Sequence, residues 1–253
     1  MAMTKHDESW WKTATIYQIY PKSFCDSGSK GTGDIKGIIS KLDYLKHLGV
    51  DAIWLTPVYQ SPMIDNGYDI SDYYAINPDF GTMQDFDTLL VKAHQLGIRI
   101  IMDIVVNHTS TEHKWFQSAL GDKNSPYRDY YIWKDPVDGA EPNNWQSKFG
   151  GNAWALDEKT GQYYLHLFAK EQADLNWENP VVREEVKEVI SFWAEKGVDG
   201  FRLDVINLIS KQQDFPSDDI GDGRRFYTDG PRVHEYLQAV SYTHLRAHET
   251  VRN

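Results

Sequence analysis

Two aspartates stand where an apolar strand has no reason to carry a charge. Asp103 interrupts the run IIMDIVV, which ends in Asn107 and His108, and Asp204 follows Arg202 in GFRLDVI. Side chains alternate along a strand, so Asp103, Val105 and Asn107 share one face, as do Arg202 and Asp204. Each group admits two readings. One is structural: a satisfied polar layer inside a barrel for the first, a plain ion pair for the second. The other is chemical, because an arginine close to a carboxylate lowers its pKa and keeps it ionised, the state that a nucleophile needs.

The elements that must position these residues repeat one grammar. Asp34 caps a helix with apolar positions Ile35, Ile38, Ile39, Leu42, Leu45 and Leu48; Gly49 ends it, and the strand AIWL follows. Thr82 and Asp85 form a capping box ahead of Phe86, Leu89, Leu90, Ala93 and Leu96, Gly97 closes the helix, and IRIIMDIVV is a buried strand. In the third copy Asn179 is the cap and Pro180 opens the helix of Val182, Val186, Val189, Ile190 and Trp193, before Gly197 and the strand VDGFRLDVI. With TATIYQIY as the first strand, four βα units of a parallel sheet covered by helices are expected.

The second and third strands start about 47 residues apart and the third and fourth about 100, so some 50 to 60 residues are inserted. The expected organisation is a barrel portion over 1–106, an inserted subdomain over 107–172, a barrel continuation over 173–238, and a foreign tail over 239–253. A complete (β/α)8 barrel takes about 250 residues without insertions, so this chain is expected to supply only about half of one. In the tail, His244 and His248 have a zinc-like i, i+4 spacing but lack a third ligand, and no metal is expected.

The 253 residues carry 26 Lys and Arg against 37 Asp and Glu, a net charge of −11, which speaks against a nucleic-acid partner. The most apolar stretch, 98–106, is broken by Arg99 and Asp103 and falls far short of the roughly 20 residues of a membrane span. The opening residues carry no apolar h-region and Cys25 is the single cysteine, so a cytoplasmic protein without a signal peptide is expected, and a monomer is expected as well.

Asp103-Ile-Val-Val-Asn107-His108 and Gly200-Phe-Arg202-Leu-Asp204 resemble the first and second signature regions of the alpha-amylase family of glycoside hydrolases. Gln172-Ala-Asp174-Leu-Asn176 resembles a further region at the exit of that family's inserted subdomain, and the likeness covers about residues 10–238. The resemblance implies a (β/α)8 TIM barrel and a retaining, exo-acting glycosidase without cofactor. It implies Asp204 as the nucleophile, oriented by Arg202, with Asp103 and Arg202 among the substrate-binding residues. His108 would bond the sugar in the −1 subsite, Tyr68 would be the platform beneath it, and Asp65 would close the pocket at the non-reducing end. The acid/base glutamate of the family follows a fifth strand, which is not found here. The piece by itself is therefore expected to be inactive.

Within the family, Val205 behind the nucleophile resembles enzymes outside the α-1,4 group. The runs Tyr20-Pro-Lys22-Ser-Phe24 and Gly221-Asp-Gly-Arg224-Arg225-Phe-Tyr227-Thr-Asp-Gly-Pro231-Arg232 are similar to the trehalose-6-phosphate hydrolases. That likeness implies cleavage of the α-1,1 bond of a phosphorylated disaccharide into glucose and glucose 6-phosphate. Such a ligand carries about two negative charges, and a protein of charge −11 must meet it with local cations. Lys211, Arg224, Arg225 and Arg232 follow the nucleophile strand and are the candidates for phosphate. Relatives of this type often hold calcium in a loop after the first strand. Here Lys30 stands among Asp26, Gly28 and Asp34, and its ammonium is expected to bridge the two aspartates in place of the ion. An oligo-1,6-glucosidase or other α-glucosidase shares nearly all of these residues. A non-catalytic truncated barrel is the other alternative.

Overall fold

The computed structural model describes residues 9–240. His244, His248 and the tail from residue 241 lie outside the described residues. The chain folds into two compact units. Of the described residues, one contains 9–58, 76–103 and 196–202, the other 59–75, 104–195 and 203–240.

The first unit is built on a four-stranded sheet in the order Ile16–Ile19, Ala52–Leu55, Arg99–Val105, Gly200–Asp204. Its first three strands run parallel, with Ile16 opposite Ala52 and Ala52 opposite Arg99. Among the described residues the sheet does not close into a barrel. The helix expected after Asp34 forms as two pieces, Ile35–Ser40 and Leu42–His47, parted at Lys41. Ile35, Ile38, Leu42 and Leu45 are buried, but Leu48, expected on the same stripe, is exposed. The Asp34 carboxylate accepts the Gly37 N–H at 2.6 Å. Gly37 is required for a packing reason: a Cβ there would lie 1.9 Å from the carbonyl oxygen of Cys25. The Thr82–Asp85 capping box forms as expected and opens the helix Met83–Gln95.

The expected Lys30 bridge is absent. The Asp26 carboxylate accepts the backbone N–H groups of Gly28 at 2.8 Å and Gly31 at 2.7 Å, and Asp34 accepts the Ser27 hydroxyl. The amide of Gly28 does most to hold the Asp26 pKa below its ordinary value. Short glycine-rich turns deliver amides to an anion more readily than a long side chain folds back.

In the second unit the helix Pro180–Glu195 buries Val182, Val186, Val189, Ile190 and Trp193, and the Asn179 side chain accepts the Val181 N–H at 2.9 Å. The inserted region forms a three-stranded antiparallel sheet, Trp133–Lys134, Gln162–Leu165, Trp154–Asp157 in that order. Its core gathers Ile132, Trp145, Trp154, Leu165 and Leu167 together with Leu208, Phe215 and Tyr227. The insert thus shares one hydrophobic core with the segment after Asp204. No helix among the described residues is long and apolar enough to cross a membrane.

Candidate active site

The turn that displays Asp65 and Tyr68 is organised by a buried acid. The Asp69 carboxylate, fully buried, accepts the Ser61 hydroxyl at 3.0 Å and the N–H groups of Ile64 and Asp65 at 2.9 and 3.0 Å. Asn66 and Gly67 both take positive φ, and Tyr68 N–H closes the turn on the Asp65 carbonyl. Asp65 and Tyr68 are left half-buried at its surface. Burial is the largest influence on Asp65 and pushes its pKa up, against a hydrogen bond from Gln172 Nε2 at 2.9 Å.

A second pairing brings His108 to this turn. The strands His108–Ser110 and Gln172–Asp174 pair antiparallel with Asp174 opposite His108 and Gln172 opposite Ser110. His108 is 1 % exposed, and its Nε2 lies 3.2 Å from the Tyr68 carbonyl oxygen and 3.1 Å from Gln172 Nε2. Burial holds its pKa below the ordinary imidazole value although Asp174, Asp204 and Asp65 pull it the other way. The charge of Asp204 acts on both His108 and Asp65, so Asp65, Tyr68, His108, Gln172 and Asp204 form one cluster in the second unit. Asp204 itself is partly exposed at a strand end. The strand stops there because Val205 turns into the left-handed region, φ 39°, which a β-branched side chain occupies only at a cost of about 1 to 3 kcal/mol.

Asp103 and Arg202 belong to the first unit. Arg202 Nη1 donates to both Asp103 oxygens, at 3.0 and 3.2 Å, its guanidinium lies 5.0 Å from the centre of the Trp54 ring, and Trp54 Nε1 donates to Asp103 at 3.2 Å. The Asp103 side chain has no exposure. The Asp103 carboxylate is thus engaged by Arg202 and Trp54.

Lys211 lies in the loop after the strand Gly200–Asp204 and is buried, 3 % exposed, donating to Asn107 Oδ1 at 3.1 Å and the Leu208 carbonyl at 2.8 Å and paired with Asp174 at 3.0 Å. An ammonium has three donors, and these contacts use all three. The arginines are on the surface with carboxylates beside them. Arg225 meets Asp218 and Asp219, and Arg232 meets Glu178 and Glu235. Arg224, the most exposed, has the longest contact, 3.4 Å to Asp222. It opens the helix Arg224–Tyr227 behind Gly223, whose φ is 88° and where a Cβ would lie 2.3 Å from the Trp145 ring. A cation that sequence reasoning missed stands nearby. Burial and then the charge of Arg224 push the Lys148 pKa down, and Lys148 Nζ is 5.3 Å from the centre of the Tyr227 ring. Gln172 also went without a role, although it stood in a quoted motif. Among the described residues no group of three or more His, Cys, Asp or Glu is placed to hold a metal ion.

Residues 18–251 match the alpha-amylase catalytic domain. The trehalose-6-phosphate hydrolase of Bacillus subtilis (strain 168) is 62% identical over 240 residues, 94% of this chain and 43% of that protein. The oligo-1,6-glucosidase of Parageobacillus thermoglucosidasius is 59% identical over 238 residues, 92% of this chain and 42% of its own length. Among solved structures, Bacillus licheniformis trehalose-6-phosphate hydrolase is similar with a TM-score of 0.91 and 64% identity, over 92% of this chain and 42% of that one. The chain spans less than half the length of the relatives it matches. By the extent of that match, the chain whose strand-end residues are described above belongs to the alpha-amylase family.

Proposed function

We propose that the chain carries the nucleophile side of a retaining glycosidase site, and that the protein it represents cleaves the α-1,1 bond of trehalose 6-phosphate to glucose and glucose 6-phosphate. The observation that supports this best is the cluster in the second unit: a partly exposed Asp204 whose charge reaches both His108 and Asp65. In the proposed step an Asp204 oxygen attacks the anomeric carbon as the C1–O bond breaks, and the bonding pair leaves with the departing oxygen. Tyr68 would lie beneath the sugar, the His108 Nε2 edge would bond it, and Asp65 would close the non-reducing end. The departing oxygen needs a proton, and the family likeness gives no residue of this chain that role. Acid assistance is worth about 10² to 10⁴ in rate, so this chain alone is expected to hydrolyse natural substrates negligibly.

For the phosphate, Lys148 and Arg224 support the reading better than the other cations. The charge of Arg224 disfavours the charged form of Lys148, and a dianion between them would relieve that repulsion. The identity to trehalose-6-phosphate hydrolases is consistent with this; the nearly equal identity to an oligo-1,6-glucosidase keeps an α-1,6-glucoside as the second reading.

The test uses 5-fluoro-α-glucosyl fluoride, whose fluoride leaves without a proton. A glycosyl ester is expected on the peptide containing Asp204 by mass spectrometry and is expected to vanish in Asp204→Asn. Calorimetric titration should show trehalose 6-phosphate binding more tightly than trehalose, with the difference reduced in Lys148→Ala and Arg224→Ala. No ester, or one on another residue, overturns the catalytic reading. Equal binding of the two sugars, or tighter binding of isomaltose, overturns the substrate.

A further inference from the structure

We infer that Lys211 is a positioning residue that fixes the tautomer of His108. Four side chains of the second unit, Lys211, Asn107, Asp174 and His108, are linked in one set of contacts. Lys211 Nζ can only donate, so the Asn107 atom 3.1 Å away must be the carboxamide oxygen. That leaves the Asn107 NH2 group facing Asp174 Oδ1 at 2.9 Å and His108 Nδ1 at 3.2 Å. Both contacts are satisfied when one N–H goes to each. Turning the carboxamide over would set its oxygen against the Asp174 carboxylate and its NH2 against an ammonium. Asp174 is pinned in turn, because its other oxygen accepts the Leu167 N–H at 2.9 Å.

His108 Nδ1 therefore accepts, and a neutral imidazole that accepts at Nδ1 carries its proton on Nε2. This edge faces the Tyr68 carbonyl, an acceptor, at 3.2 Å. Gln172 Oε1 takes the Ala169 N–H at 3.0 Å, and one N–H of its NH2 group goes to Asp65 at 2.9 Å. The same nitrogen lies 3.1 Å from His108 Nε2, a contact that alone would favour a bare Nε2, but the Asn107 donor at Nδ1 and the Tyr68 acceptor at Nε2 act together against it. The doubly protonated ring is disfavoured by the same geometry, since an Nδ1–H would point at the Asn107 NH2. The consequence is that the cluster beside Asp204 presents a neutral hydrogen-bond donor, imposed by a lysine whose own side chain is only 1% exposed. The tautomer follows from the packing alone. Only its use, donation to a sugar oxygen, rests on the proposed glycosidase reading.

Long-range ¹H–¹⁵N correlation on the whole chain labelled with ¹⁵N-histidine reads the tautomer directly, with His108 assigned by the signal lost in His108→Gln. The expected pattern at neutral pH is a protonated Nε2 and a bare Nδ1. A protonated Nδ1, alone or with Nε2, overturns the inference. In the double variant Lys211→Met with Asp174→Asn, which removes both buried charges together so that neither is stranded, the single pattern should give way to a mixture that includes the Nδ1–H form. A ring that stays wholly Nε2–H in that variant removes Lys211 from the role. No substrate is involved, so failure of the glycosyl-ester test leaves this result standing, and the reverse.

Discussion

At the scale of single residues, Asp65 sits in conflict with stability. Its folded-state pKa is raised, chiefly by burial, whereas the unfolded value is about 3.9. The folded protein then binds more protons between those values, so stability falls as pH rises through that window and remains reduced above it. Asp65→Asn keeps an acceptor for Gln172 and removes the ion. Thermal unfolding at pH 7 should give the variant the higher midpoint, and the difference should disappear near pH 3, where the wild-type carboxyl is protonated in both states. Lys211 is the opposite case. Lys211→Met strands Asp174 beside Asn107 without its cation, and urea unfolding should show a loss of about 3 to 5 kcal/mol. A change below about 1 kcal/mol would mean that the pair is not buried as described.

At the scale of elements, short-range signals carry the most. His113 caps the helix Lys114–Ala119 by accepting the Trp115 N–H at 3.2 Å on Nδ1, and burial pushes its pKa down to about 3. The unfolded ring titrates near 6.5, so below that pH the unfolded state takes up a proton that the fold refuses, and stability falls toward about pH 3 at up to about 1.4 kcal/mol per pH unit. His113→Asn supplies an uncharged cap, and the acid side of its stability profile between pH 4 and 6 should be shallower by about one proton. Gly37→Ala, by contrast, drives a Cβ into the Cys25 carbonyl and should cost about 1 to 3 kcal/mol in a denaturant midpoint experiment. The caps at Asp34, Thr82 and Asn179 and the glycine stops were legible because cap and helix are neighbours in sequence. The pairing of Arg202 with Asp103 was not: the two lie 99 residues apart and meet only because their strands are adjacent in the sheet. Lys211 with Asp174, and Lys148 with Arg224, escaped for the same reason, since a lone lysine in a sequence does not announce what will bury it or face it. The strand Gly200–Asp204, His108 and the Asp65–Tyr68 turn were legible as a pattern of types at strand ends, while their hydrogen-bond partners were set by folding.

At the scale of the whole molecule, the sheet of the described residues ends on one side at Ile16–Ile19, which pairs there with a single neighbour, and Ile16 is 46% exposed. An unpaired apolar edge invites association. Ile16→Lys should lower light scattering of a concentrated solution relative to wild type; equal scattering would show that this edge does not mediate association. The other molecular feature is the shared core of the second unit. Trp145, fully buried, donates to the Pro216 carbonyl at 2.8 Å and lies against Gly223, the residue that launches Arg224. The ring fixes where that arginine begins, though the two stand far apart in sequence. If these loops set substrate preference as proposed, its transfer between relatives requires moving residues 130–170 and 205–228 as a single cassette. A graft of either stretch without the other would bring its cations on a foundation cut for a different stone.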